Sequence, residues 1–237
     1  MAGLRSLLFN LGFYVWTALV LIAAFPVLFC RYPEIYWLGR LWVSGTLRML
    51  KFLVGLDHQA VGLENLRERP AIYAVKHQSA WDTLIFALYL HYPAYVLKRE
   101  LLYLPLFGIY LLRAGMIPVD RRGRASALKG MQAAAKRRRE EGRDLLIFPE
   151  GTRVAPGHHQ AYQPGVAALY GHLDLPVVPV ALNSGVFWGR RSFIKKPGTI
   201  TLEFLPAIEP GLARKAFMAE LENRLEGACR RLAEGGG

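Results

Sequence analysis

Between Ser6 and Cys30 the chain carries no charged side chain, and Asn10 is the one strongly polar residue in the run. Whatever the rest folds into must bury this stretch or hand it to a membrane, because water offers it nothing. Its length is enough to cross the hydrocarbon core of a bilayer. A secretory signal is the competing reading, since Arg5 precedes the apolar run. However, no small-x-small cleavage site closes it, and bulky Phe29 stands before Cys30. Pro26 kinks or ends a helix there. The expectation is a retained, membrane-associated segment.

A second helix is predicted from about Glu34 to Gly55. Its polar residues Arg40, Ser44, Arg48 and Lys51 recur at spacings of four, four and three. They form a narrow stripe on a cylinder otherwise built from Trp37, Leu41, Trp42, Leu47, Leu50 and Phe52. Such a helix suits a membrane interface, with its cations at headgroup level and its tryptophans below; the plainer reading packs it on the globular part with one wet stripe. Residues 1–55 thus read as a two-helix membrane-associated segment, and both a single crossing and a hairpin dipping into one leaflet stay open. Residues 56–237 read as one α/β domain. The formal charge of +12 beside 53% hydrophobic residues fits a protein lying on an anionic membrane face. Nucleic acid would explain the charge but not the apolar surplus, and no nucleic-acid motif is present. Cys30 and Cys229 make neither a disulfide framework nor a metal-ligand spacing, which suits a reducing, cytosol-facing location.

Beyond residue 56, apolar runs alternate with helical patterns. Strands are predicted at 60–63, 71–75, 94–97, 116–119, 144–148, 176–182 and 199–205, and this βα alternation implies a mainly parallel central sheet with flanking helices. Leu101 to Arg113 predicts one or two short helices. Residues 121–143 hold nine Lys or Arg against two Glu around a thin stripe of Leu128, Met131 and Ala135. That is a basic surface helix, a solvated charge run by default, able near a membrane to meet anionic lipid or an acidic acyl carrier protein. Phe217, Leu221, Leu225, Ala228 and Leu232 mark one face of a C-terminal helix.

Chemistry concentrates at the end of the strand over 71–75, in Lys76-His77-Gln78-Ser79-Ala80-Trp81-Asp82. The carboxyl edge of an open α/β sheet is where such folds place their sites. Residues five apart lie off a common helical face, so His77 and Asp82 meet only if the chain turns between them. A carboxylate on one imidazole nitrogen fixes the tautomer and stabilises the imidazolium, which would make His77 a general base oriented by Asp82. The same letters also spell a capping box, with Ser79 as N-cap and Asp82 three residues on. Further along, Pro149 cuts off a strand and Gly151 permits a sharp turn, presenting Glu150 and Arg153 at a strand end. His158 and His159 have no sensibly spaced third metal ligand.

Taken together, these blocks resemble the glycerolipid acyltransferase family. His77-Gln-Ser-Ala-Trp-Asp82 is similar to its HxxxxD signature, Phe148-Pro-Glu-Gly-Thr-Arg153 to its FPEGTR block, Gly115-Met-Ile-Pro-Val-Asp120-Arg121 to its second block, and Pro176-Val-Val-Pro-Val180 to its fourth. They fall in the family's order between Pro70 and Leu182, and the FPEGTR form looks most like the bacterial 1-acyl-sn-glycerol-3-phosphate acyltransferases. The chain departs in having Lys76 where the family often has Asn, and Pro118 where Ile or Phe is usual.

The resemblance implies transfer of a fatty acyl group from an acyl-CoA or acyl carrier protein thioester to the 2-hydroxyl of lysophosphatidic acid, at the cytosolic face of a bacterial inner membrane. It implies no cofactor beyond that co-substrate, and no metal. His77 and Asp82 would be catalytic. Lys98, Arg121, Glu150, Gly151, Thr152 and Arg153 would meet the substrate, Arg153 by a bidentate grip on phosphate and Lys98 as a point charge. Glu150 accepts only, so it should hold a hydroxyl or brace an arginine. Three rivals remain: an acyltransferase for another lysolipid such as a lyso-ornithine lipid, a non-catalytic lipid-binding protein, and a metal-dependent hydrolase using His77, Asp82 and Glu150.

Overall fold

The computed structural model describes residues 1–29, 32–67, 70–120 and 123–235. Two helices lead, α1 (Ala2–Ala23) and α2 (Tyr32–Met49), the latter continued by a π-helical turn over Leu50–Val54 that Gly55 ends at φ 80°. Then follow β1 (Leu56–Val61), β2 (Ile72–Val75), α3 (Asp82–Tyr89), β3 (Ala94–Lys98), α4 (Phe107–Arg113) and β4 (Ile117–Val119). The chain ends with α5 (Arg124–Glu140), β5 (Leu145–Ile147), α6 (Pro164–Leu173), β6 (Val177–Leu182), α7 (Ser184–Phe187), β7 (Gly198–Phe204) and α8 (Arg214–Glu234).

The strands form one seven-stranded sheet in the order β1-β7-β6-β2-β5-β3-β4. Every pairing is parallel except β6 with β7. The predicted strands are all present, each within a few residues of its expected bounds. Pro118 falls on β4, the edge strand, where a missing N–H costs no ladder bond on the open side.

Alternation along β2 divides the interior. Ile72 and Ala74 pack with α5, α6 and α8, while Tyr73 and Val75 pack with α2 and α3 on the other face. The stripe foreseen on the last helix is the one buried, through Phe217, Leu221, Leu225 and Ala228. Each of the phenylalanine and leucine side chains removed from water contributes about 1.5–3 kcal/mol before ordering costs.

The first two helices share this core. Phe9, Val43, Leu47, Leu50 and Val54 are buried in the cluster that contains β2, β6 and β7. Gly45 lets the helices close up, since a Cβ there would lie 2.6 Å from the Trp16 ring. Trp16 Nε1 donates to the Trp42 carbonyl and Trp42 Nε1 to Thr17 Oγ1, each at 3.0 Å. Two expectations are corrected here. Trp42 packs between the helices instead of facing lipid, because its N–H finds a hydroxyl there. Arg40 turns inward to the Ala87 and Leu88 carbonyls at 3.1 and 3.3 Å, supplying donors that the end of α3 lacks.

The polar atoms of α1 are also used. Ser6 Oγ accepts from Lys195 N at 2.9 Å, and Asn10 Oδ1 accepts from Lys195 Nζ at 2.5 Å. The opposite side of the pair is apolar and open, with Leu8, Leu11, Val15, Leu19 and Ile22 of α1 and Trp37, Leu41 and Phe52 beyond it all exposed. An apolar surface of this extent marks a membrane-associated face.

Candidate active site

The carboxyl ends of β6, β2 and β5 lie side by side, and the residues just beyond them build the site. β2 ends at Val75, and its next two residues keep the alternation. Lys76 turns toward α8, and His77 toward the start of α3.

On the His77 side, the chain folds back so that Asp82 reaches the imidazole across five residues. His77 Nδ1 lies 3.1 Å from Asp82 Oδ2. The same oxygen accepts from Gln78 N at 2.6 Å and Ser79 N at 2.7 Å, while Ser184 Oγ donates to Oδ1 at 2.5 Å. Asp82 is completely buried, as is Ser184. A carboxylate receiving two backbone N–H groups is acceptor-only, so His77 donates through Nδ1 and keeps Nε2 free for a proton. The Phe148 ring stacks on the imidazole at 4.0 Å between centroids and fixes its plane. The capping expectation is corrected in register, since α3 begins at Asp82 with Trp81, not Ser79, at its N-cap and no side-chain cap bond. Asp82 ties down the start of α3, Ser79 Oγ accepts from Trp81 N at 3.2 Å, and that tie delivers the carboxylate to His77.

On the Lys76 side lies a buried ionic cluster. Lys76 Nζ sits 3.1 Å from Glu150 Oε1 and is hydrogen-bonded to Glu226 of α8, whose Oε1 also accepts from Tyr162 OH at 2.9 Å. Burial pulls the lysine down, but the two carboxylates outweigh it and hold Lys76 above its ordinary value. Burial also pushes Glu150 up, against the pull of Lys76. The Tyr162 hydroxyl is raised far above its usual range, by burial and then by Glu150 and Glu226. Glu150 Oε1 is 3.4 Å from the His77 N–H, so the cluster adjoins the backbone of the base.

The predicted site residues divide accordingly. Glu150 meets a lysine, where a hydroxyl or an arginine was expected, because the side chain before His77 is long and cationic in this chain. Gly151 takes φ 68°, the left-handed turn foreseen, and Thr152 follows it half-buried. That turn returns the chain to β2, where Val154 N donates to the His77 carbonyl at 2.8 Å and sets Arg153 beside the base. Arg153 is half-buried. Its guanidinium lies below the ordinary value through burial, against the pull of Asp82 and with a push from Arg190. Lys98 stands at the same edge but beyond β5, about 10 Å along the sheet from β2, exposed and paired with Glu100 at 3.2 Å. Arg121 lies outside the described residues. Of the residues in the metal reading, Glu150 is paired with Lys76 and Asp82 has four contacts. Among the described residues no three His, Cys, Asp or Glu side chains gather to hold an ion, and His159 pairs with Glu222.

Sequence reasoning missed Ser184, Glu226, Tyr162 and Arg190 as parts of this region, and noted Lys76 without foreseeing its carboxylate partners. Lys76 carried one signal, a lysine continuing a buried strand. The others come from segments more than 80 residues away from His77 whose local pattern shows only a turn or a helix.

The family model described as Acyltransferase matches residues 58–183, more than half of the chain. The 1-acyl-sn-glycerol-3-phosphate acyltransferase of Pseudomonas aeruginosa is 34% identical over 228 residues, covering 94% of this chain and 88% of that protein. The enzyme of the same name from Limnanthes alba is 31% identical over 193 residues, 80% of this chain and 66% of the plant protein. In fold, the chain is similar to the crystal structure of the 1-acyl-sn-glycerophosphate (LPA) acyltransferase PlsC from Thermotoga maritima, with a TM-score of 0.77, 20% identity and 98% of each chain covered.

Proposed function

We propose, from the premise that this chain belongs to the acyltransferase family, that it transfers a fatty acyl group from a thioester to the 2-hydroxyl of 1-acyl-sn-glycerol-3-phosphate, giving phosphatidic acid. The names of the relatives support the substrate, and the observation that carries the chemistry is His77 Nδ1 held 3.1 Å from a buried Asp82 that is itself anchored by two N–H groups and Ser184.

A secondary alcohol is a poor nucleophile at neutral pH. His77 Nε2 takes the hydroxyl proton as the oxygen attacks the thioester carbonyl, and Asp82 stabilises the imidazolium that forms. The tetrahedral adduct then collapses. The carbon–sulfur bond breaks, the new ester remains, and the proton passes from His77 to the departing thiolate. Among the described residues no serine or cysteine stands in hydrogen-bond contact with His77, so transfer is direct, without an acyl-enzyme. Arg153 holds the phosphate of the acceptor, which places the 2-hydroxyl at the base and turns binding energy into orientation. The thioester serves as co-substrate and no cofactor is needed.

The protein acts at the cytosolic face of a bacterial inner membrane, with the α1–α2 pair lying in one leaflet. The bonds of Ser6 and Asn10 to Lys195 support that reading, because a crossing α1 would have to leave them. Purified protein in detergent, given lysophosphatidic acid with acyl-CoA or acyl carrier protein thioesters, should form phosphatidic acid. Preference for a lysolipid of another head group, or thioester hydrolysis alone, would refute the assignment. Carbonate or high salt should leave the protein with membranes, and release by salt would make the basic surface its only anchor.

A further inference from the structure

Arg153 precedes Val154, whose N–H bonds the His77 carbonyl, and a second arginine, Arg190, leans on that same segment. Arg190 Nη1 donates to the backbone carbonyl of Arg153 at 3.2 Å, so the Arg190 head group sits directly on the segment that carries Arg153. Among the described residues, no carboxylate comes within ion-pair distance of either. Holding two like charges together, one of them half-buried, is unfavourable unless an anion is to share them.

The backbone that supports Arg190 is itself unusual. Ser192 N donates to the Gly189 carbonyl at 3.1 Å, closing a turn in which Arg191 takes φ 58°. That left-handed conformation favours glycine, and a bulky side chain there is strained. The turn follows α7, whose first residue, Ser184, bonds Asp82, and whose Gly185 N–H donates to Gln78 Oε1 at 3.0 Å. Arg190 thus follows, by a short stretch of chain, the helix that bonds Asp82 and Gln78.

We propose that Arg190 is a substrate-binding residue that forms, with Arg153, a two-guanidinium site for the phosphate monoester of the acceptor. The proposal rests on the reading of the acceptor as a phosphorylated lysolipid. A phosphate dianion matches the charge of two guanidiniums and offers oxygens for both forks.

The test uses full-length protein in detergent, with glycerol 3-phosphate as a probe for binding and two acceptors for turnover: lysophosphatidic acid and 1-acylglycerol, which lacks the phosphate. R190A and R190Q should weaken glycerol 3-phosphate binding and raise KM for lysophosphatidic acid about ten- to a hundredfold, R190K less, while turnover of 1-acylglycerol stays within about twofold of the parent. R190Q is the discriminating variant, because it keeps a polar, hydrogen-bonding side chain in the turn but carries no charge. If R190Q behaves like the parent, or if all variants lose both acceptors equally, Arg190 only braces the turn and the proposal is overturned. If R153A abolishes glycerol 3-phosphate binding while R190A and R190Q keep it, the phosphorylated acceptor stands and Arg190 falls out of its site. If the parent protein binds glycerol 3-phosphate no better than glycerol, the phosphate reading itself fails, and the proposal with it.

Discussion

The two sides of the site are built on opposite principles. Around Asp82 each oxygen is engaged, the carboxylate is fully buried, and the imidazole is held by a hydrogen bond and a stacked ring. Around Arg153, a second arginine, Arg190, leans on the same segment, and neither has an acidic partner at ion-pair distance among the described residues. A base must be in place before the substrate arrives, because reorganising it during the reaction would add to the barrier. A binding cation gains by waiting, since any carboxylate that satisfied it in the free protein would compete with the ligand. Under the proposed mechanism, the finished network serves the base and the unmet charge awaits the substrate.

The sharpest way to break this contrast is His77→Ala. It should lower turnover on the order of 10²–10⁴-fold with the thermal transition nearly unchanged, as the ring is partly exposed and its neighbours form their bonds without it. Retained turnover, measured as phosphatidic acid formed under saturating substrates, would remove the base from the mechanism.

Lys76→Met should act on the fold first. It leaves Glu150 and Glu226 facing each other without their shared cation, and breaking a buried pair in this way costs about 3–5 kcal/mol. Denaturant unfolding in detergent reads this directly, and a midpoint equal to the parent's would show that the cluster contributes nothing.

Asp82→Asn separates the two duties of that residue. The amide oxygen can still accept from Gln78, Ser79 and His77, and its NH₂ can donate to Ser184, so α3 should start normally. The charge that stabilises imidazolium is gone, and turnover should fall about a hundredfold with little change in KM. Near-normal turnover would leave Asp82 as a helix cap alone.

The smallest effect is expected from Lys98→Ala. Its ion pair with Glu100 is exposed, and such pairs contribute about 0–1 kcal/mol. KM for lysophosphatidic acid should stay within about twofold of the parent, and a tenfold rise would return Lys98 to the phosphate site.

Much of this molecule was legible before its structure. The strand over Ile72–Val75, the turn at Gly151 and the stripe on α8 each rest on local rules of period, breaker and backbone freedom, and each holds within a residue or two. The pairing of His77 with Asp82 was legible as well, because both ends of the contact lie within one short turn. The π-turn ended by Gly55 was close to the expected end of the second helix for the same reason.

Where the argument from sequence stopped, the contact was long-range. No pattern near Ser184 announces that it will meet Asp82 across 102 positions, nor does Glu226 reveal that it will meet Lys76 across 150. Arg40 is read from its own helix as a surface cation, and only the packing of α2 on α3 shows the carbonyls it serves. The segment from Ser6 to Cys30 was compelled by its lack of charge to avoid water, but whether it avoids it in lipid or in a core is not a local property. Only the docking of α1 on Lys195 and on α2 divides that segment into one side buried in protein and one left apolar and open. Sequence by itself determined which backbone conformations each stretch could adopt and which chemistry stood at the strand ends, because those depend on neighbours a few bonds away. The tertiary structure alone decided which charges find partners and which are left waiting, because that depends on surfaces the chain brings together only when the sheet closes.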